Sequence, residues 1–508
     1  MAPAWVEHAL WWHVYPLGFT GAEPAADTAA PVTHRLAHVE RWLDYLVDLG
    51  LNGLALGPVF ASATHGYDTV DHLRVDPRLG GRADLDHLLA AHDRGVRVLL
   101  DGVFNHVGDQ HPLFRAALAG GPGSPEAELF RIRWADGEPD WDCFEGHRSL
   151  VTLNHDSPRV VDLVADVMTH WLDAGADGWR LDAAYAAPTA FWRQVTDRVR
   201  AAHPDAYLMG EVIHGDYPGF VAESGVDSVT QYELWKAIWS SVVDRNWHEL
   251  AWTLGRHDAF LDAFVPYTFV GNHDVTRIAS RVGDATLAGH ALVVLMTVGG
   301  TPAVYYGDEQ AYRGVKEDRA GGDDAVRPPY PPAPEDLAGP DVAPDGRPAH
   351  DRHAALIGLR RRHPWLHTAR THVVEVTGTR LAYESRAADG SAALLVALNL
   401  DDEGGRSRRP PMRGPSRPRA HPARVASPAA AGRSGRRSHP PRGPVPGGTC
   451  WGGGPGRAAP PTTRHPAAGR TGQGATRCAQ GSGSRTATVT STSPATSTGP
   501  AATARGSS

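Results

Sequence analysis

The chain has 508 residues, 41% of them hydrophobic, so it can form one large domain with a substantial core and smaller units beside it. Its formal charge is −7, but 17 of its 50 basic residues and none of its 57 acidic residues lie from position 404 onward, so an acidic globular part precedes a basic tail. Its three cysteines, two of them in the tail, exclude a disulfide framework and lack the spacing of a zinc site.

Eight short apolar segments alternate with helical patterns, such as those at 35–50, 83–95 and 157–176. Several of the apolar segments are hydrophobic nearly throughout, as expected for strands that are buried on both faces. The alternation predicts a TIM (β/α)8 barrel of the α/β class. The predicted strands are WWHVYPL (11–17), LNGLALG (51–57), VRVLLDGVF (96–104), GWRLDAA (178–184), AYLMGEV (206–212), VDSVT (226–230), FVPYTFVG (264–271) and TPAVYYG (301–307).

The predicted barrel comprises residues 1–106 and 157–366. Residues 107–156 follow the third strand and form a short insertion, and a second irregular stretch at 313–350 is rich in Pro, Gly and Asp. Loops of this length usually build a site or are disordered. Alternating β-branched residues predict three antiparallel strands near the end of the globular part, which form a partial C-terminal β domain at 367–402.

The composition changes abruptly after residue 402. From position 404 the chain has no Leu, Ile, Phe or Tyr, so residues 403–508 cannot bury enough apolar area to fold, and we predict a disordered tail. Arg, Pro, Gly and Ala are the residues of GC-rich codons, and one hypothesis is a reading-frame slip near codons 401–406. The alternative is a nucleic-acid-binding arm that uses its Arg residues. A single aromatic residue, Trp451, disfavours recognition by base stacking.

Four predicted strand ends carry carboxylate, histidine and arginine side chains at high density: DGVFNH (101–106), GWRLDAA (178–184), GEV (210–212) and FVGNHD (269–274). In a (β/α)8 barrel, all of these ends meet at the face that carries the chemistry. Any one of the four alone is explained as a turn, a cap or a structural ion pair. Their occurrence together and in order predicts an active site.

Arg180 and Asp182 are two residues apart on a strand, so their side chains share one face, and we expect the arginine to lower the pKa of the aspartate. A carboxylate that stays ionised suits a nucleophile at a sugar carbon. Glu211 follows an apolar strand, and a partly desolvated carboxyl suits a general acid.

Three further side chains complete this predicted site. Asp274 is a third carboxylate, placed to stabilise an oxocarbenium-like transition state. His106 and His273 are expected to donate hydrogen bonds to hydroxyls of the same sugar ring.

These segments, in this order, resemble the signatures of the α-amylase family, also called glycoside hydrolase family 13. Supporting matches lie at 53–58, 65–69 and 299–309, and the resemblance covers roughly residues 8–400. It implies a retaining double displacement, with the two reacting carboxyls ~5–5.5 Å apart. The roles that it implies are nucleophile for Asp182, acid/base for Glu211, transition-state stabiliser for Asp274, sugar-subsite contacts for Arg180, His106 and His273, stacking platform for Tyr67 and supporting residue for Asp101.

The resemblance implies no required cofactor and leaves Ca²⁺ open. Family members with a calcium site often use the asparagine that corresponds to Asn105, with partners from the insertion. Here Leu153, Asn154 and His155 occupy a motif that often contains an acidic ligand. A role for Asn105 as a hydrogen-bonding loop residue is therefore favoured over a metal ligand.

The leading interpretation is a hydrolase of α-linked glucosides, such as malto-oligosaccharides or a related α-glucan. A transglycosylase or isomerase of the same family, such as a glucanotransferase or a trehalose-forming enzyme, is the first alternative. A non-catalytic relative, such as a transporter subunit, is the second, and the three carboxylates disfavour it. The N-terminus lacks the pattern of a signal peptide and no apolar stretch approaches ~18 residues, so we expect a cytoplasmic protein without a membrane span.

Overall fold

The computed structural model describes residues 2–134, 138–319, 321–338 and 345–401, together with the backbone of 487–492. Eight parallel strands form its central sheet, and nearly all their residues are buried because aliphatic and aromatic side chains cover both faces. Each strand lies within one of the eight predicted segments. The strands are β1 (Trp11–Val14), β2 (Gly53–Leu56), β3 (Arg97–Gly102), β4 (Gly178–Leu181), β5 (Tyr207–Gly210), β6 (Ser228–Val229), β7 (Tyr267–Phe269) and β8 (Thr301–Tyr305).

The sheet runs in the order β6-β5-β4-β3-β2-β1-β8-β7. A parallel bridge between Thr230, just after β6, and Tyr267 of β7 joins the two ends. Gly178 is required where β4 meets β5, because a Cβ atom there would lie 2.0 Å from the carbonyl oxygen of Tyr207. The predicted (β/α)8 fold is confirmed.

Helices follow the strands, as predicted. The pattern at 35–50 forms two short helices rather than one, and the pattern at 83–95 ends in a 3-10 turn. The α-helices are Pro16–Phe19, Leu36–Glu40, Leu43–Asp48, Arg82–Leu89, Pro112–Gly120, Pro158–Asp173, Thr189–Ala202, Tyr217–Ser224, Tyr232–Val243, His248–Phe260, Ile278–Val282, Ala285–Thr297 and Gly346–Arg362.

Alternation along the strands separates two apolar cores. Trp11 belongs to the cluster inside the barrel with Leu99 and Met209, whereas Trp12 belongs to the larger cluster between the strands and the helices. Successive residues of a strand point to opposite faces, so neighbouring tryptophans serve different cores.

The insertion after β3 is more ordered than its composition suggested. It contains the helix Pro112–Gly120, which starts with proline in its first turn, and two small antiparallel ladders. One ladder pairs His106–Gly108 with Leu150–Thr152 and so fastens both ends of the insertion together.

The C-terminal sheet contains the three predicted antiparallel strands, β9 (Arg370–Val376), β10 (Arg380–Arg386) and β11 (Ala393–Asn399). A fourth strand, β12 (Ala487–Thr492), pairs with β11. This strand lies within the segment for which we predicted disorder, so that prediction is wrong at these six residues, ATVTST, four of which are the β-branched Thr or Val that favour strands.

The other residues of the predicted tail lie outside the described part of the chain. The reading-frame and nucleic-acid hypotheses concern those residues and stay hypotheses. The domain boundaries given above stay predictions.

Candidate active site

At the carboxyl ends of the barrel strands, polar side chains take the place of the apolar side chains that fill the barrel. Leu99 packs inside the barrel, and Asp101, two residues later on the same face, is fully buried above it. Met209 of β5 packs inside the barrel in the same way, and Glu211, the residue directly after β5, is buried above it. The period-two geometry of a strand therefore delivers both carboxyls to the mouth of the barrel.

Arg180 lies at the centre of this polar layer, opposite Asp101 in the ladder of β3 and β4. Its Nη1 donates to the two carboxylate oxygens of Asp101 at 2.7 and 2.8 Å and to Oδ1 of Asp182 at 3.2 Å. Its Nη2 lies 2.9 Å from Oε1 of Glu211. One buried guanidinium therefore holds three carboxyl groups from neighbouring strands.

The direction in which the site shifts the pKa of Asp182 differs from our expectation. Burial raises the pKa of Asp182 well above its usual value, and the opposing charge of Arg180 does not overcome this effect. The prediction of a lowered pKa is therefore wrong. It considered Arg180 alone, whereas the folded site encloses the carboxyl and adds the negative charges of Glu211 and Asp101.

Glu211 is held through both of its oxygens. The hydroxyl of Tyr232 donates to Oε1 at 3.0 Å, and the backbone N–H of Ala183 donates to Oε2 at 3.1 Å. Ala183 has a φ of +44°, a left-handed conformation that costs a non-glycine residue energy. This turn directly after Asp182 aims a backbone donor at Glu211.

Asp274 follows β7, and its carboxyl contacts the side chains of Arg327 and His273. Arg327 donates to Oδ1 at 2.8 Å, and Nε2 of His273 lies 2.9 Å from Oδ2. Burial alone would raise the pKa of Asp274, but His273 and Arg327 hold it well below its usual value. The side chain is still 31% exposed, so an ionised carboxylate faces the mouth of the barrel.

Aromatic rings line one side of the same space. The ring of Tyr67 stacks on His273 with centroids 5.4 Å apart, and its hydroxyl donates to Oδ2 of Asp101 at 3.1 Å and also contacts Nε2 of His273. Tyr15 stacks on His273 at 5.7 Å. The predicted platform Tyr67 thus lies beside the carboxyl cluster.

His106 is buried rather than available at the surface of the pocket. Its Nε2 lies 3.1 Å from the carbonyl oxygen of Tyr67 and its Nδ1 lies 3.1 Å from Nδ2 of Asn105, so protein atoms engage both ring nitrogens. Burial lowers the pKa of His106 to about 3, which keeps the ring neutral. The expected hydrogen bond from His106 to a sugar stays a prediction, and it needs one of these contacts to open.

The structure thus brings together seven of the eight predicted residues, Asp101, Tyr67, Arg180, Asp182, Glu211, His273 and Asp274, around one mouth, with His106 behind Tyr67. Sequence reasoning missed Tyr15, Tyr232, Asn272 and Arg327. Asn272 lies inside the motif FVGNHD that was already singled out, so its position was a usable signal. Arg327 comes from the irregular stretch after β8, where no local pattern marks it.

The residues near Asn105 do not fit a calcium ion. Oδ1 of Asn105 is buried without a hydrogen-bond partner, but the carbonyl oxygens beside it already have partners: Nε2 of His72 lies 2.9 Å from the oxygen of Val103, and Nε2 of His155 lies 3.3 Å from that of Phe104. Within the described ranges no group of three or more His, Cys, Asp or Glu could hold a metal ion. Calcium prefers six to eight oxygen ligands with carboxylates among them, and these three oxygens include no carboxylate.

Comparison with known families agrees with this geometry. The model of the family described as "Alpha amylase, catalytic domain" matches residues 14–343. The chain belongs to the alpha-amylase family. The resemblance carried by the four motifs is confirmed, and the matched range includes every predicted site residue of this family member.

Two similar family members are a cyclomaltodextrinase and a maltogenic alpha-amylase. A cyclomaltodextrinase from Geobacillus thermopakistaniensis is 31% identical over 61% of this chain and 57% of its own length. A maltogenic alpha-amylase from Bacillus acidopullulyticus is 30% identical over 62% of this chain and 58% of its own length. The chain therefore spans less than two thirds of the length of these relatives.

Among solved structures, the cyclic α-maltosyl-(1→6)-maltose hydrolase from Arthrobacter globiformis, in complex with cyclic α-maltosyl-(1→6)-maltose, resembles the chain with a TM-score of 0.68 and 25% identity. The match covers 78% of this chain and 92% of that one. None of the helices in the described residues is both long and apolar enough to cross a membrane.

Proposed function

We propose that the chain is a retaining α-glycoside hydrolase that cleaves α-linked glucosides, with Asp182 as nucleophile, Glu211 as general acid/base and Asp274 as transition-state stabiliser. The observation that carries this proposal is the bridge by Arg180, whose two terminal nitrogens contact Asp182 and Glu211. A retaining glycosidase needs two carboxyls on either side of one sugar carbon, and a shared guanidinium keeps them at close range.

In the first step, a carboxylate oxygen of Asp182 forms a bond to the anomeric carbon while the glycosidic bond breaks. Glu211 gives its proton to the departing oxygen. In the second step, Glu211 takes a proton from water, the water oxygen bonds to the anomeric carbon and Asp182 leaves. Two inversions give net retention.

The charges of the site support a proton shared within the cluster and an ionised Asp274. Three buried carboxyls share Arg180, so complete ionisation would leave two negative charges without a partner in a poorly solvated layer. The cluster therefore favours holding one proton, and the proposed first step requires this proton on Glu211, which gives it to the leaving group, with Asp182 ionised beside Arg180. Asp274 remains ionised beside it and opposes the positive charge that develops on the sugar ring.

The proposed substrate class is malto-oligosaccharides or cyclic α-glucans. The names of the related cyclomaltodextrinase, maltogenic amylase and cyclic maltosyl-maltose hydrolase support this class. The ring of Tyr67 offers an aromatic surface against which a glucose ring can pack.

The test is a substrate panel of maltotriose, β-cyclodextrin and pullulan, assayed with the wild type and Asp182→Asn. We expect wild-type hydrolysis of at least one of them, with the α-anomer formed first by NMR, and a loss of at least about 10³-fold in the variant. Formation of longer or rearranged oligosaccharides instead of reducing sugar would indicate transfer. Retention of activity by Asp182→Asn would refute the assignment.

A further inference from the structure

A chain of hydrogen bonds connects the turn at Asp274 with Glu211. The backbone N–H of Asp274 donates to Oδ1 of Asn272 at 2.9 Å, and Nδ2 of Asn272 donates to the hydroxyl oxygen of Tyr232 at 2.9 Å. The hydroxyl of Tyr232 donates in turn to Oε1 of Glu211 at 3.0 Å. All three side chains are buried, at 5–8% exposure.

The direction of each bond in this chain is fixed. Because Oδ1 of Asn272 accepts from a backbone N–H, the amide can only present its NH2 group to Tyr232. The Tyr232 oxygen therefore accepts from Asn272, and its own proton points to Glu211. Burial raises the pKa of Tyr232 well above its usual value, so this proton stays on the phenol.

The two oxygens of Glu211 consequently differ. Oε1 faces two donors, the Tyr232 hydroxyl and Nη2 of Arg180. Oε2 faces one, the backbone N–H of Ala183. A proton on Oε1 would point at another donor hydrogen, whereas Oε2 keeps one lone pair free for it.

We propose that Tyr232, oriented by Asn272, is a positioning residue that reserves Oε2 of Glu211 as the atom that carries the transferable proton. This inference rests on the proposed role of Glu211 as acid/base. The balance of the step is simple: the Oε2–H bond breaks, the proton goes to the glycosidic oxygen, and the electron pair stays on Glu211, where Tyr232 and Arg180 stabilise it through Oε1.

Packing makes Tyr232 suitable for this role. Its ring meets Phe269 edge-on with centroids 4.9 Å apart and Trp235 at 5.7 Å, so the ring is clamped in place. Tyr232→Phe therefore keeps the packing and removes only the oxygen. Asn272→Asp keeps the shape but replaces the donor with an acceptor, which draws the Tyr232 proton away from Glu211.

The experiment compares kcat/KM on maltotriose, whose leaving group needs a proton, with kcat/KM on α-maltosyl fluoride, whose leaving group needs almost none. We expect Tyr232→Phe and Asn272→Asp to lower kcat/KM on maltotriose roughly 10- to 100-fold, as for loss of a charge-assisted hydrogen bond that supports general acid catalysis. On the fluoride, the change should stay below about threefold.

The matched control is Tyr383→Phe in the C-terminal sheet. It removes a buried hydroxyl that lies 2.6 Å from Oγ1 of Thr297. It should leave kcat/KM unchanged on both substrates. Equal losses on both substrates in Tyr232→Phe would mean general damage to the site and would overturn the inference, as would no loss on either. Failure of the wild type to cleave either substrate would instead refute the proposed function.

The identity of the oxygen has its own test. In a crystal structure with a pseudo-oligosaccharide that carries nitrogen in place of the glycosidic oxygen, that nitrogen should lie within hydrogen-bond distance of Oε2. A contact to Oε1 with Oε2 remote would overturn the assignment.

Discussion

The backbone N–H of Ala183 lies 3.1 Å from Oε2 of Glu211, so the residue after the proposed nucleophile is bonded to the proposed acid/base on the next strand. This bond is possible because Ala183 adopts a left-handed turn with φ +44°. Local strain in the backbone thus ties the positions of the two reacting carboxyls to each other.

The strain at Ala183 predicts a stabilising substitution. Ala183→Gly keeps the N–H and removes the Cβ clash of the left-handed conformation, so we expect the free energy of unfolding to rise by about 1 kcal/mol. Urea unfolding measures it. Ala184→Gly, at the next position and without positive φ, should lower the same quantity by about 1 kcal/mol. A lower stability for Ala183→Gly would show that packing of the methyl group outweighs the strain.

Arg180 should be indispensable for stability as well as for activity. Arg180→Lys keeps the charge but replaces two terminal nitrogens, which contact different carboxyls, with a single one on a differently shaped side chain, so part of the buried negative charge loses its partner. We expect the free energy of unfolding to fall by about 3–5 kcal/mol and activity on maltotriose to fall at least about 10²-fold. Arg347→Lys, in an exposed pair with Asp351, should change stability by less than about 0.5 kcal/mol. Wild-type stability in Arg180→Lys would contradict the prediction.

Stability should fall as the solution becomes acidic. Burial lowers the pKa of His257 to about 4, below the value of about 6.5 in an unfolded chain. The unfolded state therefore binds the proton first, and stability is lost as pH falls from about 6.5 towards 4. His257 contributes about 2 kcal/mol to the difference between pH 7 and pH 5.

His257→Gln removes this titration, so its unfolding free energy should depend less steeply on pH than that of the wild type. Urea unfolding at both pH values measures the slope. His248→Gln, at an exposed position, is the control and should keep the wild-type slope. The explanation fails if the wild type and His257→Gln lose equal stability on acidification.

Chelation should leave the protein unaffected. The carbonyl oxygens of Val103 and Phe104 are engaged by histidine side chains, so removal of divalent cations breaks none of these contacts. We expect the melting temperature in EDTA to match that in CaCl₂ within about 1 °C, because a ligand that does not bind cannot stabilise. Calorimetry provides the measurement. A loss of several degrees in EDTA that CaCl₂ restores would demonstrate a metal site.

The strands and the carboxyls were predictable from the sequence because their signals are local. A strand buried on both faces is an apolar run, and within recognisable motifs Asp101 and Arg180 lie near the ends of such strands and Glu211 directly after one. The pKa of Asp182 was not predictable in the same way, since burial and the charges of Glu211 and Asp101 arise only when β3, β4 and β5 lie side by side.

Contacts across the barrel also could not be predicted from local sequence patterns. Tyr232 begins a helix after β6 and reaches Glu211 from the side, and nothing in its neighbourhood distinguishes it from a core aromatic. The strand β12 was not predicted because the low hydrophobicity of the whole tail outweighed a short run rich in β-branched residues.

The carboxylate of Asp274 is paired with Arg327, which lies 53 residues further along the chain and beyond the last barrel strand. A ribosome that has synthesised all eight strands has therefore not yet supplied this cation. Translation products that stop before it leave Asp274 with one fewer counter-charge. The pocket reaches its final balance of charge only late in synthesis.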